Sequence, residues 1–102
     1  FKIDPGLKPT PELILDETAN FYNITSERIL GNAKTKDVVV PRQVAMYLIR
    51  EMTDMSFPEI GRFMGRDRTT VLHAINKTRD QMAKDDNFAA AVSDLKKNIQ
   101  NR

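Results

Sequence analysis

Apolar residues recur along this chain at helical spacing, and most runs open on a capping residue and close on a breaker. Thr10, Pro11 and Glu12 read as an N-cap, a first-position proline and an early acid. With Leu13, Leu15, Ala19, Phe21 and Tyr22 as apolar positions, they predict a first helix over residues 10–22. Thr25 or Ser26 caps a short second helix through Leu30, which Gly31 and Asn32 end as a left-handed stop. Residues 32–40 then read as a basic loop. Pro41 stands where a third helix would place its first residue. Val44, Leu48 and Met52, flanked by Ala45 and Ile49, give that helix an i, i+4, i+8 stripe, which predicts a central element over residues 41–54. Ser56 caps a short fourth helix with Pro58 and Glu59 in its first turn and Ile60, Phe63 and Met64 on its apolar side. Gly65 supplies a tight corner, and Asp67 caps a long fifth helix over residues 67–84, with Val71, Ala74, Ile75, Thr78 and Met82 on one arc. After an interruption at residues 84–87, Phe88, Val92, Leu95 and Ile99 form a last amphipathic helix. No strand pattern competes and no repeat is present, so the expected class is all-α with about six helices.

Composition narrows the setting. With 102 residues, 40% hydrophobic and 29% charged, the chain suits one globular domain, expected over residues 10–102. Residues 1–9, with two prolines and a glycine, read as a linker, native or appended, and the initial Phe suggests a piece of a longer chain. Cysteine is absent, which excludes disulfides and thiolate metal sites and makes the cytoplasm the natural compartment. No apolar run approaches the roughly 20 residues of a membrane span, so no membrane contact is expected. The net charge is only +2, but it is unevenly spread. Arg28, Lys34, Lys36, Arg42 and Arg50 outnumber Glu27 and Asp37 over residues 25–50. Six Lys or Arg face three acids over residues 56–84, whereas residues 1–24 are net acidic. A basic middle of this kind points to nucleic acid.

The fourth helix, the glycine corner and the fifth helix match a helix-turn-helix in order and spacing. Packing of Ile60 and Phe63 on Val71 and Ile75 would leave Arg68, Thr69, Leu72, His73 and Asn76 on an outward arc able to enter a major groove. That arc offers a guanidinium for guanine, a hydroxyl and methyl for thymine and a carboxamide for adenine. Helical hairpins in ordinary bundles share the pattern.

Three blocks carry a sharper likeness: PRQVAMYL at residues 41–48, SFPEIGRFMGRD at 56–67 and TTVLHA at 69–74. Over residues 11–100 the chain resembles the C-terminal DNA-binding domain of the DnaA family of bacterial replication initiators. The resemblance implies double-stranded DNA as partner, in origin boxes of the TTATNCACA type. It implies base contacts at Asp67, Arg68, Thr69 and Thr70, and a minor-groove contact at Lys34. Phosphate contacts are implied at Arg42, Gln43, Phe57, Pro58, His73 and Lys77, with Lys36 beside them. At Arg68 the family usually carries histidine, and at Lys34 arginine, whose flat fork lysine lacks.

Each of these residues also has an ordinary structural reading. Asp67 is an N-cap that could also accept from a cytosine amino group. His73, the only histidine, has no partners at metal-ligand spacing and reads as a phosphate-side or solvated residue. Arg62 is expected in solvent, and Arg66 either pairs with an acid at the corner or reaches phosphate. The five methionines read as core filler. No phosphate-binding loop, activated nucleophile or metal-ligand pair is present, so no enzyme and no cofactor is expected in this chain. The initiator's ATPase activity would reside elsewhere, and the isolated domain is expected to be a monomer. Two alternatives stay open: a helix-turn-helix transcriptional regulator, and a helical protein-interaction module with a basic face.

Overall fold

In the computed structural model, which describes residues 9–101, six helices follow one another in the order expected. The linker assigned to residues 1–9 lies almost wholly outside the described residues. Helix α1 (Pro11–Phe21) begins where the Thr10 hydroxyl accepts the Leu13 N–H at 3.1 Å. It buries Ile14, Leu15, Thr18 and Ala19, and the Thr18 hydroxyl is satisfied by donating to the Ile14 carbonyl at 2.7 Å. Asn23, with φ of 58°, turns the chain into α2 (Ser26–Leu30), capped by Thr25. Gly31 does not end α2 in the left-handed conformation expected: its φ of −78° and ψ of −161° are extended. The chain therefore leaves α2 straight rather than turned, and its last carbonyls take partners from elsewhere.

Helix α3 (Lys36–Met52) begins five residues before the sequence reading placed it, and Pro41 lies inside it. Thr35 is the N-cap, and its carbonyl accepts the N–H groups of both Val38 and Val39, at 3.0 and 2.8 Å. Val38 is fully buried, so packing holds this turn where three β-branched valines and a proline argue against helix. Pro41 forgoes one intrahelical bond, to the Asp37 carbonyl, without ending the helix. The basic loop is thereby cut to residues 32–35, and Lys36 becomes the first residue of α3. Downstream, Val44, Ala45, Met46, Leu48 and Ile49 are essentially inaccessible, and α3 packs against α1, α2, α4 and α5.

Helix α4 (Phe57–Met64) has a complete capping box: Ser56 Oγ accepts the Glu59 N–H and Glu59 Oε1 accepts the Ser56 N–H at 2.8 Å. Two glycines shape its exit. Gly65 has φ of 70°, the left-handed region. Gly61 is needed for space, because a Cβ there would stand 2.5 Å from the Arg66 carbonyl oxygen, beside a bond from the Arg66 N–H to the Gly61 carbonyl at 2.8 Å. Helix α5 (Arg68–Lys84) follows, and Asp85 alone separates it from α6 (Asp86–Gln100). Its N–H bonds Gln81 while its side chain caps α6 by accepting the Phe88 N–H at 3.1 Å. Val92, Leu95 and Ile99 bury α6 against α1 and α5. Met46, Met52 and Met64 are buried, and Met55 and Met82 pack at the edge of the core, as filler.

The two glycines predict different penalties. Gly61→Ala should lower stability by about 1–3 kcal/mol, because backbone must move to admit the methyl, and Gly65→Ala by about 1 kcal/mol from its left-handed φ alone. Urea unfolding of both variants checks the order; a neutral Gly61→Ala would mean the turn has slack.

Candidate nucleic-acid interface

The second helix of the α4–turn–α5 unit is divided lengthwise. Val71, Ala74, Ile75 and Thr78 are buried against α3 and α4, whereas Asp67, Arg68, Thr69, Thr70, Leu72, His73, Asn76 and Lys77 are all exposed. Those eight residues form one solvent-facing surface over the first three turns. Leu72, 38% exposed, is an apolar centre in a polar arc. The Asp67 carboxylate accepts the Thr70 N–H at 2.7 Å. That bond, then the Thr70 hydroxyl and the nearby His73, hold its pKa below the usual carboxylate value. Asp67 is thus a charged cap at the edge of the exposed surface.

The basic loop starts at Gly31, which Arg66 ties to the turn that precedes this helix. Lys34 is exposed within it, and Lys36 is exposed on the first turn of α3. Asp37 and Arg28 form an exposed pair at 3.6 Å, so Arg28 is partly neutralised. On the other side, Phe57 is half-buried and Pro58 exposed at the start of α4. The capping box occupies the Ser56 and Glu59 N–H groups and Pro58 has none, which leaves Phe57 with the first-turn amide that the box does not use. Arg50 lies over the Phe57 ring, 4.5 Å from its centroid, and donates to the Met55 carbonyl at 3.0 Å. Sequence reading counted Arg50 only in the basic middle and did not place it over Phe57, because no helical periodicity links the end of α3 to the start of α4.

Two arginines stand differently from their sequence readings. Arg42, assigned to phosphate, is 7% exposed, and its Nε, Nη1 and Nη2 donate to the carbonyls of Ile29, Ala33 and Gly31 at 2.7, 3.0 and 3.0 Å. Its guanidinium therefore points inward as a strut beneath the basic loop, not outward at a ligand. Gln43, next to it, is half-buried. Arg66 neither pairs with an acid nor faces open solvent. It donates to the carbonyls of Met64 at 3.1 Å, Gly65 at 3.3 Å and Leu30 at 3.4 Å, and also to Gly31. Arg79, below the exposed surface, is paired with Glu51 at 3.2 Å over the Tyr47 ring. Arg62 is exposed, as expected. Among the described residues no cluster of His, Asp or Glu could hold a metal, and no helix is long and apolar enough to cross a membrane.

The family model described as the bacterial DnaA protein helix-turn-helix matches residues 11–78, which run from the first residue of α1 through the exposed part of α5. The chain belongs to the bacterial DnaA family. It is 49% identical over 89 residues to the chromosomal replication initiator protein DnaA of Deinococcus radiodurans, covering 87% of this chain and 19% of that protein. With the protein of the same name from Streptococcus thermophilus it shares 48% identity over 101 residues, 96% of this chain and 22% of the relative. The DnaA of Caldanaerobacter subterraneus is 43% identical over 90 residues, 88% of this chain and 20% of that protein. The chain thus spans about a fifth of the length of the curated relatives it matches. The DnaA helix-turn-helix is here the α4–turn–α5 unit, with the start of the basic loop tied to its turn through Arg66.

The cap makes a pH prediction. Because the folded pKa of Asp67 is depressed, its carboxylate stabilises the fold above the unfolded value and loses that effect as pH falls through the folded value. Asp67→Asn, a cap that does not titrate, should therefore flatten the acid side of a plot of thermal midpoint against pH, below the ordinary carboxylate value. An unchanged slope would show that Asp67 does not carry the titration.

Proposed function

We propose that this chain is the duplex-DNA-reading domain of a replication initiator, docking the N-terminal half of α5 in the major groove of a short asymmetric origin box of the TTATNCACA type. The observation that carries this reading is the continuous exposure of residues 67–70, Leu72, His73, Asn76 and Lys77 on a helix whose other face is core, in a chain of the DnaA family. Asp67, Arg68, Thr69 and Thr70 meet base edges, Lys34 enters the adjacent minor groove, and Lys36, Gln43, the Phe57 amide, Pro58, His73 and Lys77 lie along phosphates. Arg42 is omitted from that set, because its guanidinium is committed to three carbonyls. One domain serves one box as a monomer, since an asymmetric box has no second half-site. Hydrogen bonds and charge suffice for readout, so the domain needs no cofactor and turns over no substrate; ATP chemistry belongs to other parts of the full-length initiator. A chain that acts on the bacterial chromosome works in the cytoplasm.

Titration of the domain against a box duplex, a scrambled duplex and boxes changed one position at a time, at fixed salt, tests the reading. The box should be preferred by about 10³ or more, and equal affinity for all duplexes would favour a protein-interaction module instead. Preference for an inverted repeat bound by two copies would favour a transcriptional regulator. Arg68→His should move the preference at one base step, whereas Lys77→Ala should weaken every duplex alike and lower the salt slope by about 1. Uniform weakening by Arg68→His would make Arg68 a phosphate contact.

A further inference from the structure

Arg66 belongs to the turn between α4 and α5, yet half of its side-chain hydrogen bonds leave that turn. Nη1 reaches the Met64 and Gly65 carbonyls at the end of α4 and the Leu30 carbonyl at the end of α2, while Nη2 donates to Gly31. From the opposite side Arg42 donates to Ile29, Gly31 and Ala33. Both cations sit at the negative ends of helix dipoles, where last-turn carbonyls lack intrahelical partners. Burial, and then the charge of Arg66, lowers the pKa of Arg42, as expected of two guanidiniums on one carbonyl. Residues 32–35, which carry Lys34, leave directly from this knot and end at the Thr35 cap of α3.

We propose that Arg66 is a positioning residue for DNA recognition, setting the register of the Lys34 loop against the reading face of α5. This inference rests on the function proposed above and names how its two groove contacts are kept in step. The link spans 35 residues of sequence between Gly31 and Arg66 and ties the start of the loop directly to the helix-turn-helix turn. A planar fork can serve two helix ends at once, which the single ammonium of lysine does poorly. A minor groove is only about 6 Å wide, so a loop released by a few ångströms loses its entry while α5, held by Val71 and Ile75, keeps its place.

The test is a double-mutant cycle in box binding with Arg66→Lys, which keeps the charge, and Arg66→Met, which removes every donor. Lys34→Ala should cost about tenfold in affinity in the wild-type background and less than about twofold with either Arg66 variant, whereas Thr69→Ala should cost the same in all three. Independent effects of Lys34 and Arg66, or an equal loss of the Thr69 contribution, would overturn the proposal and leave Arg66 as general support of the fold. Backbone order parameters of the free domain provide an arm that does not involve DNA. Residues 32–34 should fall from about 0.85 toward 0.6 in Arg66→Met while α5 is unchanged. Failure of the wild type to prefer the box would sink the proposed function; unchanged loop order would sink the coupling alone.

Discussion

The carbonyl of Gly31 is where three parts of this domain are joined. Arg42 brings α3 to it, Arg66 brings the helix-turn-helix turn, and the basic loop departs from it. Helix ends are costly to bury because their last carbonyls have no partner within the helix. Here the ends of α2 and α4 are brought close together, and two guanidiniums supply the missing donors for both. Among the described residues no fully buried side-chain nitrogen or oxygen is left without a partner. The arrangement carries its own cost, since two like charges share one acceptor, and the lowered pKa of Arg42 expresses it. Convergent carbonyl dipoles offset the repulsion.

Around that knot, the two sides of one helix are divided between core and solvent. Val71, Ala74, Ile75 and Thr78 hold α5 on the central α3, and Thr78 satisfies its hydroxyl within the helix by donating to the Ala74 carbonyl at 2.9 Å. None of the exposed residues of its first three turns contributes to the core. Substitutions on that surface therefore leave the core untouched, apart from Asp67, whose carboxylate caps the helix. The glycine pair works on a different scale. Gly65 turns the chain and Gly61 lets it pass close, so the angle between α4 and α5 is set by backbone contact rather than by adjustable side chains.

Much of this was legible in the sequence because it is local. Caps at Thr10, Thr25, Ser56 and Asp67 sit where short polar side chains precede apolar periodicity, and each forms its hydrogen bond. The i, i+4, i+8 stripe of α3 is buried as its spacing required, and so is the arc of α5 apart from Met82, which is half-buried at the edge of the core. Local rules failed at Pro41, where a first-position preference placed the helix start five residues late; burial of Val38 outweighs propensity there. They failed again at Gly31, whose extended backbone suits a helix end capped by distant arginines rather than by its own turn. Gly61 left a readable trace, since a glycine inside a helix costs about 1 kcal/mol relative to alanine and calls for a reason.

By itself the sequence determined six helices, the face of α5 that would be buried and the residues left facing out, because those depend on spacing within one segment. It also carried the blocks that ally the chain with the DnaA family. The tertiary structure alone decided what the arginines do. Arg42, Arg66, Arg68 and Arg79 are equivalent as letters. Only packing separates the strut beneath the loop, the bridge between two helix ends, the exposed guanidinium at the start of α5 and the neutralised partner of Glu51. A long cation takes its role from the acceptors within its reach, and those acceptors come from segments far away along the chain.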